Sequence, residues 1–435
     1  MPTAVLAKRL LSEEARALRT RLERLKPFSL TMPMVMAAAI SPSAMDAIER
    51  HMTLARRNMN ALVGWFLGWL SSSEGHRAAA SEAQRRFALV RLRFNSILSQ
   101  FEIFGDVLTH RSQHETGVWV AGLDDVAADA LALPGYYQPP EVVCYVDRGH
   151  GAAIRRARTR LPGGEESPVA IIRVPRERMV GSGVASSLVH EVGHQAAALL
   201  DLPYSLRAVL RRASSQAPND FSWRYFDRTI SEVIADFWSI ARVGIAATIG
   251  LIAVVSLPRA FVFAIDLEDP HPFPWIRVKL SCAMGDALFP HPQWAALARA
   301  WEALYPLDGL DEPRRELIGQ LQARIPSFAR LLVDHRPKAL RGRSLSEALA
   351  VEERQPARLS ALFHVLQTTP SRLRDVRPTL AFAVIGQARA DGLIAPEEES
   401  QLIGNLLTYW ATRSALAFSA SCAVLPSMRV RQFVN

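Results

Sequence analysis

The chain has few cysteines and few lysines, and each shortage excludes a class of protein. Its three cysteines, Cys144, Cys282 and Cys422, are too few and too widely spaced for a disulfide framework or a four-cysteine zinc site. A reducing compartment is therefore expected. Only four of the 51 basic residues are lysines. This arginine bias is typical of a bacterial genome rich in GC and is no sign of selection for phosphate binding.

The sequence also lacks an apolar segment long enough to span a membrane. The one candidate is residues 243–257, an uncharged segment between Arg242 and Arg259. A spanning helix needs ~20 apolar residues, so we expect a buried core helix here, with membrane association as the alternative. No secretory signal is expected, because charges from Lys8 onward interrupt the start of the chain before an apolar segment forms. These features favour a cytoplasmic protein.

The overall composition is that of a globular protein, with 49% apolar and 21% charged residues. The net charge of +9 arises in the flanks, residues 1–116 and 311–435, while residues 117–310 are nearly neutral. No basic stripe interleaved with aromatic residues is present, so nucleic-acid binding is not expected. A length of 435 residues exceeds what one core usually supports, which predicts several domains.

Apolar residues at helical spacing predict that both flanks are helical. The predicted helices cover residues 5–25, 43–70, 79–108, 312–332, 344–353, 359–367, 378–390 and 396–416. The turn at Asp391-Gly392 is similar to a loop of tellurite-resistance-type helical domains. An ordinary turn with a left-handed glycine is the alternative.

The centre of the chain has a different pattern. Residues 117–123, 142–146 and 169–174 predict short strands, and residues 182–200 predict an apolar helix. We therefore expect an α+β fold that is predominantly helical. Its domains would be a helical N-terminal region (1–116), a central domain with a small sheet (117–310) and a helical C-terminal domain (311–435).

The predicted central helix carries the sequence His190-Glu-Val-Gly-His194, which fits the pattern H-E-x-x-H. Residues four apart lie on one face of a helix, so both imidazoles can bind one ion, with Glu191 beside it. Zinc held by such ligands keeps an open position and lowers the pKa of a water molecule to about 7. Glu191 can then take a proton from water as it attacks a carbonyl group.

A catalytic zinc site needs a third protein ligand. Leu200 occupies the position at which the metzincin pattern has its third histidine. Glu232 lies 38 residues beyond His194 in an apolar helical pattern, and Asp236 follows on the same helical face. Two acids on an apolar helix are costly to bury without a cation. We expect Glu232 to bind the metal and Asp236 to accept a hydrogen bond from a ligand histidine.

These residues resemble the gluzincin family of zinc metallopeptidases. The pattern from Glu232 to Asp236, followed by His271-Pro and Arg277, is similar to the membrane peptidases that process prenylated proteins or act in the bacterial envelope heat-shock response. The resemblance covers about residues 168–280. It implies that the metal ligands are His190, His194 and Glu232 and that Glu191 acts as the general base. Asp236 would then be the outer hydrogen-bond partner of a ligand histidine.

A hydrolytic site also needs a hydrogen-bond donor for the developing oxyanion. Among Tyr204, Tyr225, His271 and Arg277, the last two fit best, because a turn at the preceding prolines would bring them over the metal. A salt bridge that fastens the loop is the alternative for Arg277. The strand over residues 169–174 would pair with an extended polypeptide if its edge is free; otherwise it is an internal strand.

The sequence thus predicts a zinc metallopeptidase that hydrolyses a polypeptide. One alternative is a peptidase of the same clan held at a membrane through residues 243–257. The other is a non-catalytic scaffold in which zinc is structural and the helical flanks bind a protein partner.

Overall fold

The computed structural model describes residues 3–32, 34–112, 114–147, 151–176, 181 and 183–430. The first helices are α1 (Thr3–Glu23), α2 (Phe28–Thr31), α3 (Pro42–Ser71), α4 (Ser73–Arg77) and α5 (Ala80–Arg111). The central ones are α6 (His114–Leu131), α7 (Gly183–Leu199), α8 (Leu202–Gln216), α9 (Phe221–Val243), α10 (Ile245–Val255), α11 (Arg259–Val262), α12 (Pro274–Leu288) and α13 (Pro292–Leu304). The last are α14 (Glu312–Asp334), α15 (Leu345–Ala348), α16 (Pro356–Thr368), α17 (Pro378–Ala390) and α18 (Pro396–Val430). The strands are β1 (Val142–Asp147), β2 (Ala153–Arg155) and β3 (Ala170–Pro175).

This architecture confirms the predicted α+β, predominantly helical class. Proline and capping residues fix several boundaries: α3 begins at Pro42, and the side chain of Ser41 accepts a hydrogen bond from the backbone N–H of Ala44. The helix α17 covers the predicted residues 378–390, and Gly392 after it has a φ of 72°, a left-handed conformation that suits glycine. Ser182, at the predicted start of the central helix, lies outside the described residues, as does the side chain of Cys422.

The three strands form one mixed sheet in the order β1-β3-β2. Strand β3 pairs in parallel with β1 and antiparallel with β2. Both edges of β3 are therefore occupied, so it is the internal strand given as the alternative and has no free edge for a substrate. The sequence also did not reveal β2, because three residues are too short for an alternating pattern to stand out.

The predicted strand over residues 117–123 is wrong, because this segment lies within α6. The buried apolar residues Val120, Leu123, Ala127 and Ala130 recur three or four positions apart, which is the helical period. The local alternation of Gly117-Val-Trp-Val was therefore misleading, and the helical pattern becomes visible only when the following ten residues are included.

The sheet separates two hydrophobic cores, because successive strand residues point to opposite faces. Val143 and Ile171 pack into a core built by the N-terminal helices. Cys144 and Ile172 face a larger core that extends along the chain from Val120 to Trp410. The predicted central domain (117–310) and the predicted C-terminal domain (311–435) share this larger core.

The apolar segment at residues 243–257 is interrupted by Gly244, which ends α9, and continues as α10. Most of α10 is buried, and it packs against α7, α9 and α17. Within the described ranges, no helix combines the length and the apolar character needed to cross a bilayer.

Candidate metal centre

Two packed helices bring three potential metal ligands together. Helix α7 supplies His190 and His194, and α9 supplies Glu232. The Nε2 atoms of the two histidines lie 3.2 Å and 3.4 Å from the same carboxylate oxygen, Oε2 of Glu232. One nitrogen or oxygen atom of each residue lies within 4.8 Å of the others. This group could hold a metal ion.

Asp236 fixes the orientation of the first histidine. Its Oδ1 lies 2.7 Å from Nδ1 of His190, which leaves Nε2 directed at the ligand group. Arg277 donates two hydrogen bonds to the same carboxylate, from Nε at 2.7 Å and from Nη2 at 2.8 Å. Carboxylate partners of this kind set the tautomer and the ring position of a ligand histidine. Asp236 therefore joins α7, α9 and α12.

The charges of this group are strongly coupled. Burial opposes ionisation of His190, yet the charge and hydrogen bond of Asp236, with help from Glu232, raise the pKa of the imidazole to about 9. Burial would raise the pKa of Glu232, but hydrogen bonds from three histidines hold it well below its usual range. Burial likewise opposes the ionised form of Asp236, and Arg277 and His190 keep its pKa below the usual range. The site thus keeps both carboxylates ionised, and His190 has to release its proton when a metal ion binds.

Gly193 allows α7 and α9 to approach closely enough for the three ligands to meet. A Cβ atom at this position would lie 2.8 Å from Cα of Ala235 and 3.0 Å from Cβ of Trp238. Neither atom is at the end of a flexible side chain, so the helices would have to separate. The glycine between the two ligand histidines is therefore required by packing.

We expect Gly193→Ala to destabilise the fold by about 1–3 kcal/mol, the usual cost of overpacking a core. It should also weaken metal binding, because the histidines would move away from Glu232. Urea unfolding and a metal titration measure the two effects. Gly319→Ala is the control, since a Cβ atom there has no neighbour within 4 Å. Equal stability of both variants would contradict the packing argument.

A cleft of about 220 Å³ opens beside His190, the member of the candidate ligand group that lines it. Glu191, which is 9% exposed, lines it next to His190. Ala247 and Leu251 of α10 form an apolar wall. Glu191 and His190 thus line the same cleft, and the role of Glu191 as general base stays a prediction.

The structure also brings His271 and Arg277 to this cleft. Nε2 of His271 lies 3.2 Å from Oε2 of Glu232, and the ring is about half exposed. Arg277 is occupied by its two hydrogen bonds to Asp236, the salt-bridge arrangement considered as the alternative. A direct catalytic role stays a prediction for both, and the contacts of Arg277 favour a positioning role.

The two tyrosines lie elsewhere. Tyr225 is buried, and its hydroxyl accepts a hydrogen bond from the backbone N–H of Phe273. Tyr204 is 75% exposed on α8. Sequence reasoning missed a role for Asp269, whose Oδ1 lies 2.8 Å from Nδ1 of His271 and accepts from its backbone N–H. The spacing Asp-Pro-His, typical of an Asx turn, was the available signal.

We expect Asp236→Asn to weaken metal binding by ~10 to 100-fold, the usual effect of losing an outer carboxylate partner. The amide keeps the shape but removes the charge that holds His190 and Arg277. Competition with a chromophoric chelator measures the dissociation constant. Asp227→Asn, a change of another aspartate on the same helix, is the control and should leave metal affinity unaltered. Unchanged affinity in Asp236→Asn would show that this carboxylate does not position the ligand.

The chain matches no model of a known protein family, no curated protein and no solved structure. The resemblance to gluzincins therefore depends on the quoted motif residues alone.

Proposed function

We propose that the protein is a zinc-dependent metallopeptidase. The observation that carries the proposal is the convergence of His190, His194 and Glu232 on one point, with Glu191 beside His190 in the adjoining cleft. Two imidazoles and a carboxylate with a neighbouring glutamate are the parts of a hydrolytic zinc site.

The donor set fits zinc in type and in spacing. Zinc prefers neutral imidazole nitrogen and carboxylate oxygen at about 2.0–2.2 Å in a tetrahedral arrangement, so that neighbouring ligand atoms lie about 3.3–3.5 Å apart. The two histidine nitrogens lie 3.2 Å and 3.4 Å from the Glu232 oxygen. When bound, zinc would supply a Lewis acid for a carbonyl group and would lower the pKa of water to about 7.

The surrounding side chains have distinct tasks in this proposal. Glu191 accepts a proton from the water that attacks the peptide carbonyl and returns it to the departing amine nitrogen as the C–N bond breaks. His271 donates a hydrogen bond to the carbonyl oxygen as negative charge develops on it, an interaction that can contribute about 2.7–4 kcal/mol. Asp236 and Arg277 keep His190 in place.

The substrate in this proposal is a polypeptide. The apolar wall formed by Ala247, Leu251 and Val254 offers a surface for a side chain of the substrate beside the polar ligand group. The expected location is the cytoplasm. Cys144 and Cys282 are buried free thiols, as is usual in proteins of a reducing compartment.

We expect the protein loaded with zinc to cleave an unfolded polypeptide such as fluorescently labelled casein. Glu191→Gln should retain zinc but lower the cleavage rate by ~10² to 10⁴-fold, the usual contribution of a general base. Elemental analysis and the release of labelled peptides measure the two properties.

The matched control is Glu302→Gln, because Glu302 lies on α13 and pairs with Lys279, away from the ligands. Equal cleavage by the Glu191→Gln variant and the unmodified chain would overturn the assignment of the base. Zinc binding without cleavage of any tested polypeptide would favour the alternative of a zinc-stabilised scaffold.

A further inference from the structure

A second cavity, of about 600 Å³, lies where the N-terminal region meets α6 and α18. None of its lining residues lines the metal cleft. The loop after α2, the start of α3, α6 and the exposed part of α18 each contribute side chains. Its volume lies in the range of pockets that hold small organic molecules. This site is separate from the proposed peptidase function.

The lining is largely apolar, and its side chains can adapt to the shape of a ligand. Four of the ten methionines of the chain face the cavity, and Phe418 of α18 adds an aromatic ring. The methionines are Met32, Met34, Met36 and Met45. Thioethers are polarizable and adapt to ligands of different shape, and an aromatic face attracts a cation. Such a lining suits a ligand whose apolar part is planar or globular.

The polar part of the lining carries charge of one sign. Asp46, Glu49, Asp124 and Asp125 line the cavity, and no basic residue does so among the described lining residues. Asp124 is neutralised by Arg111, at 2.8 Å, and Asp46 by Arg50, at 2.8 Å. Neither Glu49 nor Asp125 takes part in a salt bridge within the described part of the chain.

Asp125 is the better placed of these two carboxylates. It is partly buried, and the hydroxyl of Ser414 donates to it at 3.1 Å. Burial, together with the charge of Asp124, raises the pKa of Asp125 to about 6, against the lowering effect of Ser414 and Arg413. This carboxylate lines an apolar cavity, and Arg413 acts on it only from beyond salt-bridge distance.

We propose that this cavity binds an organic cation with an apolar body. The apolar lining would contact the apolar part of the ligand, and Asp125 and Glu49, which both line the cavity, would balance its charge. A cation would be attracted to these carboxylates, and an anion would be repelled by them.

The test compares two probes of nearly equal size and shape but opposite charge, tetraphenylphosphonium and tetraphenylborate. Isothermal titration of the full chain at pH 7.5 should show saturable binding of tetraphenylphosphonium and at least tenfold weaker binding of tetraphenylborate. Asp125→Asn keeps an acceptor for Ser414 but removes the charge, and should weaken binding of the cation by about tenfold. Ala415→Phe, which fills the cavity from α18, should abolish binding.

Circular dichroism and urea unfolding establish that both variants fold. Glu191→Gln serves as the control for location and should bind the cation unchanged, because it lies in the other cavity. Equal binding of the two probes, binding that survives Ala415→Phe, or failure of tetraphenylphosphonium to bind the unmodified chain would each overturn the proposal. None of these results depends on whether the metal centre hydrolyses peptides.

Discussion

Glu232→Ala is expected to lose bound metal, while Glu191→Gln retains about one ion per chain. Glu232 supplies the oxygen on which the Nε2 atoms of His190 and His194 converge, and its removal leaves only two ligands. The loss of affinity should exceed the ~10 to 100-fold effect of changing an outer partner such as Asp236. Elemental analysis after dialysis and competition with a chromophoric chelator measure it.

The variant Glu268→Ala is the matched control, because Glu268 is highly exposed and pairs with Arg228 away from the cleft. It should bind metal like the unmodified chain. Retention of metal by Glu232→Ala would refute the third-ligand assignment, and His271, whose Nε2 lies 3.2 Å from the Glu232 oxygen, would then be the next ligand to test. Loss of metal from Glu191→Gln would instead show that Glu191 is a ligand.

The local part of the candidate site could be predicted because its geometry follows from helical spacing. The pair His190 and His194 shares a helix face wherever α7 lies, and so does the pair Glu232 and Asp236 on α9. That the two pairs meet depends on the packing of α7 against α9. The sequence hinted at this only through the cost of burying two acids on an apolar helix.

Contacts across long stretches of the chain could not be predicted in the same way. Arg277 pairs with Asp236, which lies 41 residues earlier in the chain. The two meet only because α12 packs against α9. The strand error at residues 117–123 has a local cause, since a few alternating residues also occur inside helices. The two cores could not be anticipated either, because the faces of β1 and β3 are both apolar and do not reveal which helices cover them.

The largest effect on stability is expected at the junction of these two cores. Arg111 is fully buried at the end of α5. It pairs with Asp124 of α6 at 2.8 Å and donates hydrogen bonds to the backbone carbonyl oxygens of Ala38 and Cys144. One side chain therefore joins the N-terminal region, β1 and α6, and its removal would leave a buried carboxylate without its cation.

Arg111→Met is expected to lower the free energy of unfolding by about 3–5 kcal/mol, the usual cost of removing one partner of a buried ion pair. Arg50→Met is the control: Arg50 pairs with Asp46 at the same 2.8 Å but is 75% exposed, so its loss should cost at most about 1 kcal/mol. Urea unfolding of both variants measures the difference. A similar small loss in both would show that the buried pair does not hold the cores together.

The pH dependence of the Arg111→Met variant distinguishes a lost charge pair from lost packing. Burial already raises the pKa of Asp124, even though Arg111 acts to lower it. Without Arg111 the folded-state pKa rises further above the unfolded value, so folding favours the protonated acid. The stability deficit should therefore be small at low pH and grow as the pH rises through the folded-state pKa. Adding Asp124→Asn should remove this pH dependence and recover part of the stability. A deficit that is independent of pH would mean that the arginine acts through its packing and its hydrogen bonds to the backbone alone.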